Sequence, residues 1–224
     1  MKPQPALSPS NNTHRQESLA PALELLCLIT LVITIEWVVP FTTDPRIAYQ
    51  GLAFLILLLL LVCQLRDRAS ARDLGIRFDN FTRVLFHILL PFLIFLIAVI
   101  ATGAAFGTLR FESKFYSMWL SVPPWALLQQ YMLFGFAMPR LKRIVGNDNH
   151  VVATAVLFSI LHLPNPVLTI VCAIGAYIWA REYDREPNLL ANAVTHTVAS
   201  VFLANALPGW LLKNMVVGYN YFTK

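Results

Sequence analysis

The feature that most constrains this chain is a series of apolar runs, each about as long as a membrane is thick. Residues 19–40, 47–65 and 81–107 are each close to or above the about 20 residues that a helix needs to cross a bilayer. Their apolar residues come in blocks rather than in alternation, which predicts helices and not barrel strands. Charge is scarce. Only 13% of the 224 residues are Asp, Glu, Lys or Arg, against about 25% in an ordinary soluble domain. The sequence therefore predicts an all-α, polytopic membrane protein with one helical bundle over 19–224. The first run has helix length and no small-residue cleavage site behind a short core, so it reads as a span and not as a removed signal peptide.

Seven spans are expected. Residues 1–18, rich in Pro, Ser and Asn, read as a disordered cytoplasmic tail. The spans follow at 19–40, 47–65, 81–107, 125–138, 150–163, 167–179 and 188–207, with Pro91 as a kink in the third. Residues 66–80 read as a polar, basic segment with a short interfacial helix ending at Gly75. The 108–124 stretch, with Phe111, Phe115, Tyr116 and Trp119, reads as an interfacial loop. Basic or charged loops are expected at 139–149 and 181–187. Pro208-Gly209 breaks the last span, and 210–222 is either interfacial or a partial eighth helix.

Lys and Arg set the orientation. With the N-terminus in the cytoplasm, twelve of the 17 basic residues fall on inside segments and three (Arg46, Arg110 and Lys114) fall outside; Lys213 and Lys224 stay unassigned. Cys27, Cys63 and Cys172 lie apart in apolar runs, as small buried hydrophobes do. The expected partners are membrane lipid and a hydrophobic or prenylated peptide or membrane protein, with no nucleic acid.

Polar groups inside such spans are costly and mark sites. Gln129 and Gln130 stand together in the fourth span. Phe158 and His162 are four apart in the fifth, on one helix face. Asn188, Asn192, His196 and Ser200 recur every four residues in the seventh, as a polar stripe. Glue between helices is the plain alternative for that stripe. His87 reads as structural, and His14 and His150 as solvent-side. Glu24 and Glu36, twelve apart in the first span, are expected to be paired or to lie near an interface.

Three motifs, in order, resemble the CPBP family of intramembrane endopeptidases (CAAX-prenyl protease and bacteriocin-processing enzymes, also called Abi). The family pattern is Glu-Glu-x-x-x-Arg-Gly, then Phe-x-x-x-His, then His-x-x-x-Asn or Asp. Here the first motif reads Gln129-Gln130-Tyr131-Met132-Leu133-Phe134-Gly135. The second is intact as Phe158-Ser159-Ile160-Leu161-His162-Leu163-Pro164. The third reads His196-Thr197-Val198-Ala199-Ser200. Asp73-Leu74-Gly75-Ile76-Arg77 resembles the family's Leu-Gly-Leu-Arg, so the likeness covers about 73–205.

The resemblance implies cleavage of peptide bonds in prenylated or hydrophobic peptides, in or near the membrane. It places His162, His196, Gln129, Gln130 and Ser200 in the catalytic set and Phe158, Asn192 and Phe134 in substrate binding. The departures bear on chemistry. In the family a Glu activates the water, whereas an amide can orient water but cannot deprotonate it. The family Arg is Phe134 here, as suits a site without carboxylates, because an unpaired buried guanidinium is costly. A histidine base with a glutamine as oxyanion donor would keep hydrolysis possible. No cofactor is expected. A divalent metal stays open, although two His do not close a zinc site and a first-span Glu would have to complete it. Two alternatives stand beside the protease: a silent homologue that binds a lipidated peptide or membrane partner, in an immunity or scaffolding role, and an enzyme acting on a lipid-like substrate.

Overall fold

A computed structural model describes residues 11–223, with side chains from residue 19 onward. Residues 1–10, the larger part of the expected tail, lie outside the described residues. The backbone is helical, with no strand among the described residues: α1 (Asn11–Trp37), α2 (Pro45–Asp67), α3 (Phe81–Ala105), α4 (Ser113–Gln130), a wide π turn (Tyr131–Ala137), α5 (Met138–Val145), α6 (His150–Ile160), α7 (Pro166–Arg185) and α8 (Leu189–Ala206). The fold is the all-α polytopic one expected, and each of the seven apolar runs forms helix. Segments 19–41, 45–67, 81–105 and 189–206 are long and apolar enough to cross a membrane.

The helices differ in depth. In α1, α2 and α3 only 17% of the apolar window is buried within the protein, against 61% in α8. The first three therefore turn most of their apolar side chains outward, among them Leu26, Phe54, Phe86 and Ile94. That is the lipid-facing surface a membrane bundle needs. Small residues let α8 sit centrally. A Cβ on Gly103 of α3 would lie 2.6 Å from the Ala206 carbonyl oxygen, so only glycine permits this approach. Phe134, Phe158, Trp179, Tyr183 and Leu189 form the main core with Val84 and Ile88 of α3.

Charges gather at one end. Arg140 of α5 is 4% exposed. Its Nε donates to Glu24 Oε2 at 2.7 Å, its Nη2 to Asp67 Oδ2 at 3.0 Å and its Nη1 to the Phe136 carbonyl at 2.9 Å. Arg66 also pairs with Glu24. This network joins α1, α2 and α5. Nearby helix ends and turns add Arg83–Glu186, Arg77–Asp79 and Lys142–Asp184 pairs.

Several boundaries differ from expectation. Of the segment 66–80, residues 66 and 67 end α2, and 68–80 form turns rather than an interfacial helix. Gly75 (φ 72°) turns there, and its carbonyl accepts from Leu189 N at 2.9 Å. The expected loop 108–124 is helical from Ser113, and the loops 139–149 and 181–187 are helical to Val145 and Arg185. The reason is common to these three loops: charge and interfacial aromatics mark where lipid ends, and a helix runs on past that boundary into water. Past α8 there is no eighth span among the described residues. The chain makes a helical turn (Gly209–Leu212), a 3₁₀ turn (Lys213–Met215) and a final turn (Asn220–Thr223). His150, expected near solvent, is 1% exposed. Its ring nitrogens lie 2.8 Å from the Asn147 carbonyl and 2.8 Å from Asp184 Oδ1.

Candidate active site

An apolar cavity of about 630 Å³ opens within the bundle. All the long helices line it: Leu28, Val32 and Glu36 from α1, Ile56 from α2, Phe92 from α3, Trp125 and Gln129 from α4, Phe158 from α6, Cys172 and Trp179 from α7, and His196 and Ser200 from α8. His162, just past α6, lines it as well. The fourth, fifth and seventh spans of the sequence thus bring their polar residues to one space.

The paired amides separate, as a 100° step along a helix requires. Gln129 lines the cavity. Gln130 is fully buried and turns toward α8, where its Nε2 lies 3.0 Å from His196 Nδ1. The π turn begins at the next residue. Pro139 has no N–H for the Gly135 carbonyl, so ordinary i−4 pairing fails there and the helix widens. Met138 N instead donates to Leu133 O, five residues back.

Each histidine is held by a different partner. His162 Nδ1 lies 2.6 Å from the Phe158 carbonyl oxygen. A carbonyl only accepts, so Nδ1 carries the proton and Nε2 keeps its lone pair. His196 Nδ1 faces the Gln130 amide nitrogen, which only donates. Its Nδ1 therefore accepts and its proton is on Nε2. The two rings are of opposite tautomer: one is an acceptor and the other a donor. Phe158 packs on both, at 4.6 Å from the His162 ring and 6.0 Å from that of His196, and Trp179 packs on His196 at 5.0 Å. Trp179 is fixed in turn by its indole N–H, which donates to Thr195 Oγ1 at 3.0 Å.

The polar stripe of α8 divides by role. Asn188 caps the helix, accepting from Ala191 N at 2.8 Å, and it also donates to Asn80 Oδ1 at 2.6 Å. Asn192 is fully buried and does not line the cavity; neither polar atom of its side chain has a partner among the described residues. The Gln130 Oε1 is likewise unpartnered. Buried amide atoms of this kind are normally satisfied by ordered water or a ligand. Phe134, in the place of the family Arg, is also outside the cavity lining. It stacks on Tyr183 at 5.3 Å in the core.

Among the described residues no three His, Cys, Asp or Glu side chains come together as metal ligands. Glu24, open in the sequence, belongs to the Arg140 network. Glu36 lines the cavity, and single-sequence spacing alone did not separate the two. No curated protein and no solved structure matches the chain. A family model does, the type II CAAX prenyl endopeptidase Rce1-like model, over residues 125–202. That segment holds the glutamine pair, both histidines and Ser200. Over residues 125–202, then, the chain is similar to the Rce1-like type II CAAX prenyl endopeptidases, in agreement with the CPBP resemblance of its motifs.

Proposed function

We propose that the chain hydrolyses a peptide bond of a hydrophobic or prenylated peptide held in the bundle cavity. The observation that carries this reading is that two histidines line one cavity with their Nδ1 atoms against opposite kinds of partner, the Phe158 carbonyl oxygen and the Gln130 amide nitrogen. His162 Nε2 takes a proton from water, and the water oxygen attacks the carbonyl carbon. The His196 Nε2–H and the Gln129 amide donate to the oxyanion as it forms. The C–N bond then breaks, and the proton returns from His162 to the leaving amine. Gln130 positions His196. Ser200 and Phe158 border the bound chain. Surrounding apolar walls exclude bulk water and accept the hydrophobic part of the substrate. In this reading the charged end of the bundle is cytoplasmic, as is the N-terminus, consistent with its share of arginine.

A second reading rests on Gln129, Gln130 and Phe134, which replace the carboxylates and the Arg of the family pattern. In it the same cavity binds a lipidated peptide or membrane partner without turnover.

The test is turnover in liposomes. The purified protein is incubated with prenylated and hydrophobic peptides, and new termini are read by mass spectrometry. Wild type is run beside His162→Ala and beside the triple change Gln129→Glu, Gln130→Glu, Phe134→Arg. The hydrolase reading requires cleavage by wild type and its loss in His162→Ala. Cleavage by the triple variant alone would overturn it in favour of binding.

A further inference from the structure

Among the described residues, Glu36 is the one acidic residue in the lining of the cavity. It lies on the face of α1 that carries Leu28, Ile29, Val32 and Ile35, at helical spacings that put all five on the same wall. Its carboxylate has no hydrogen-bond or ion-pair partner among the described residues. Glu24, about one turn N-terminal to Leu28 on the same helix, is by contrast held by Arg66 and Arg140.

The position of Glu36 is fixed by the segment after α8. Tyr219 N donates to the Glu36 carbonyl at 3.0 Å, and Gly218 N donates to the Leu163 carbonyl at 2.9 Å. Two adjacent residues thus tie Glu36 to the residue after His162. The approach is close enough to require glycine: Gly218 has φ 59°, and a Cβ there would lie 2.8 Å from Glu36 Cβ. Lys213 of this segment is directed at the Tyr221 ring 5.6 Å away.

An ionisable group facing an apolar membrane cavity without a partner is costly, and such groups are kept for what they bind. We propose that Glu36 is the docking point for a cationic group of the ligand, a primary ammonium or guanidinium. Its apolar part fills the cavity toward the histidines. The ligand supplies the partner that the fold withholds, and the resulting ion pair is shielded from water. This inference rests on the cavity being the substrate site, and it adds a substrate class: hydrophobic peptides with a positive charge at the end of the cavity away from the Arg140 network. Glu36 acts in recognition and takes no part in proton transfer.

The experiment is equilibrium binding to the full chain in nanodiscs, with empty nanodiscs as reference. The probes are a leucine-rich peptide with one lysine and the same peptide acetylated at the lysine Nζ. Wild type is expected to prefer the charged form by about tenfold or more. Glu36→Gln should bring the two affinities to parity and leave that of the acetylated peptide unchanged, while His162→Ala should keep the preference. Equal affinities in wild type, or a preference that survives in Glu36→Gln, would overturn the assignment. Should Glu36→Gln bind neither peptide, Glu36→Asp decides: a retained preference supports the docking role and a lost one overturns it. A wild type that prefers the charged peptide yet cuts nothing would remove the hydrolase reading and leave the Glu36 site in place.

Discussion

Replacing Arg140 by Met should cost the bundle about 3 kcal/mol. The side chain is 5% exposed and reaches Glu24, Asp67 and the Phe136 carbonyl, with its guanidinium 3.7 Å above the Phe136 ring. Met keeps most of the volume, so the loss is electrostatic and not a cavity. Deleting one member of a buried ion pair costs about 3–5 kcal/mol, because the partner charge is left uncompensated. Arg66 softens this, since it bonds both Glu24 and Asp67, but it is 53% exposed and its pairings are worth about 1 kcal/mol or less. The expected net is therefore near the bottom of the range. Equilibrium unfolding in mixed micelles, followed by tryptophan fluorescence, measures it. The reasoning makes a second, sharper demand. Adding Glu24→Gln and Asp67→Asn to Arg140→Met should recover at least about half the loss, because the stranded carboxylates are then gone. A single-variant loss below about 1 kcal/mol, or a triple variant less stable than the single one, would refute the view that Arg140 acts as a buried counter-ion.

Two further outcomes follow from the helix ends. Asn188→Ala removes the cap of α8 together with the bond to Asn80, and should lower stability by about 2 kcal/mol in the same assay, with faster amide exchange in the first turn of α8. Arg77 holds the exposed Asp79 carboxyl at about 2, below its ordinary 3.8. The folded state is favoured by that depression above pH 4, and the benefit is lost as pH falls through 2. Melting curves of wild type and Asp79→Asn should differ by a constant amount above pH 4 and converge near pH 2.

Much of the site was legible in the sequence, because a polar residue in an apolar run has few permitted destinations. His162, His196, Gln129 and Ser200 all reach the one cavity, as their places in separate spans suggested. The different duties of neighbours were not legible. Gln129 and Gln130 look alike in sequence, and only packing decides that one faces the cavity and the other His196. Asn188, Asn192, His196 and Ser200 share a helix face, yet the first is a cap and the second is sealed in the core. Glu24 and Glu36 lie three turns apart on one helix, and what sets them apart is Arg140, more than a hundred residues away in the chain. The charged and aromatic segments misled mostly toward loop. Where charge begins, lipid ends, but backbone hydrogen bonding continues in water, so α5 and α7 run through segments that composition marks as loops.

The wide turn at Tyr131–Ala137 separates two phases of one helical rod. Upstream, the angular setting of Gln129 and Gln130 answers to the cavity and to His196. Downstream, that of Arg140 answers to Glu24 and Asp67. An ordinary α-helix would gear these settings rigidly together, at 100° per residue, and the widened turn supplies the offset that lets both be met. Shortening this segment by one residue would restore regular pitch at the expense of alignment: either the amide would swing off the imidazole or the guanidinium off its carboxylates.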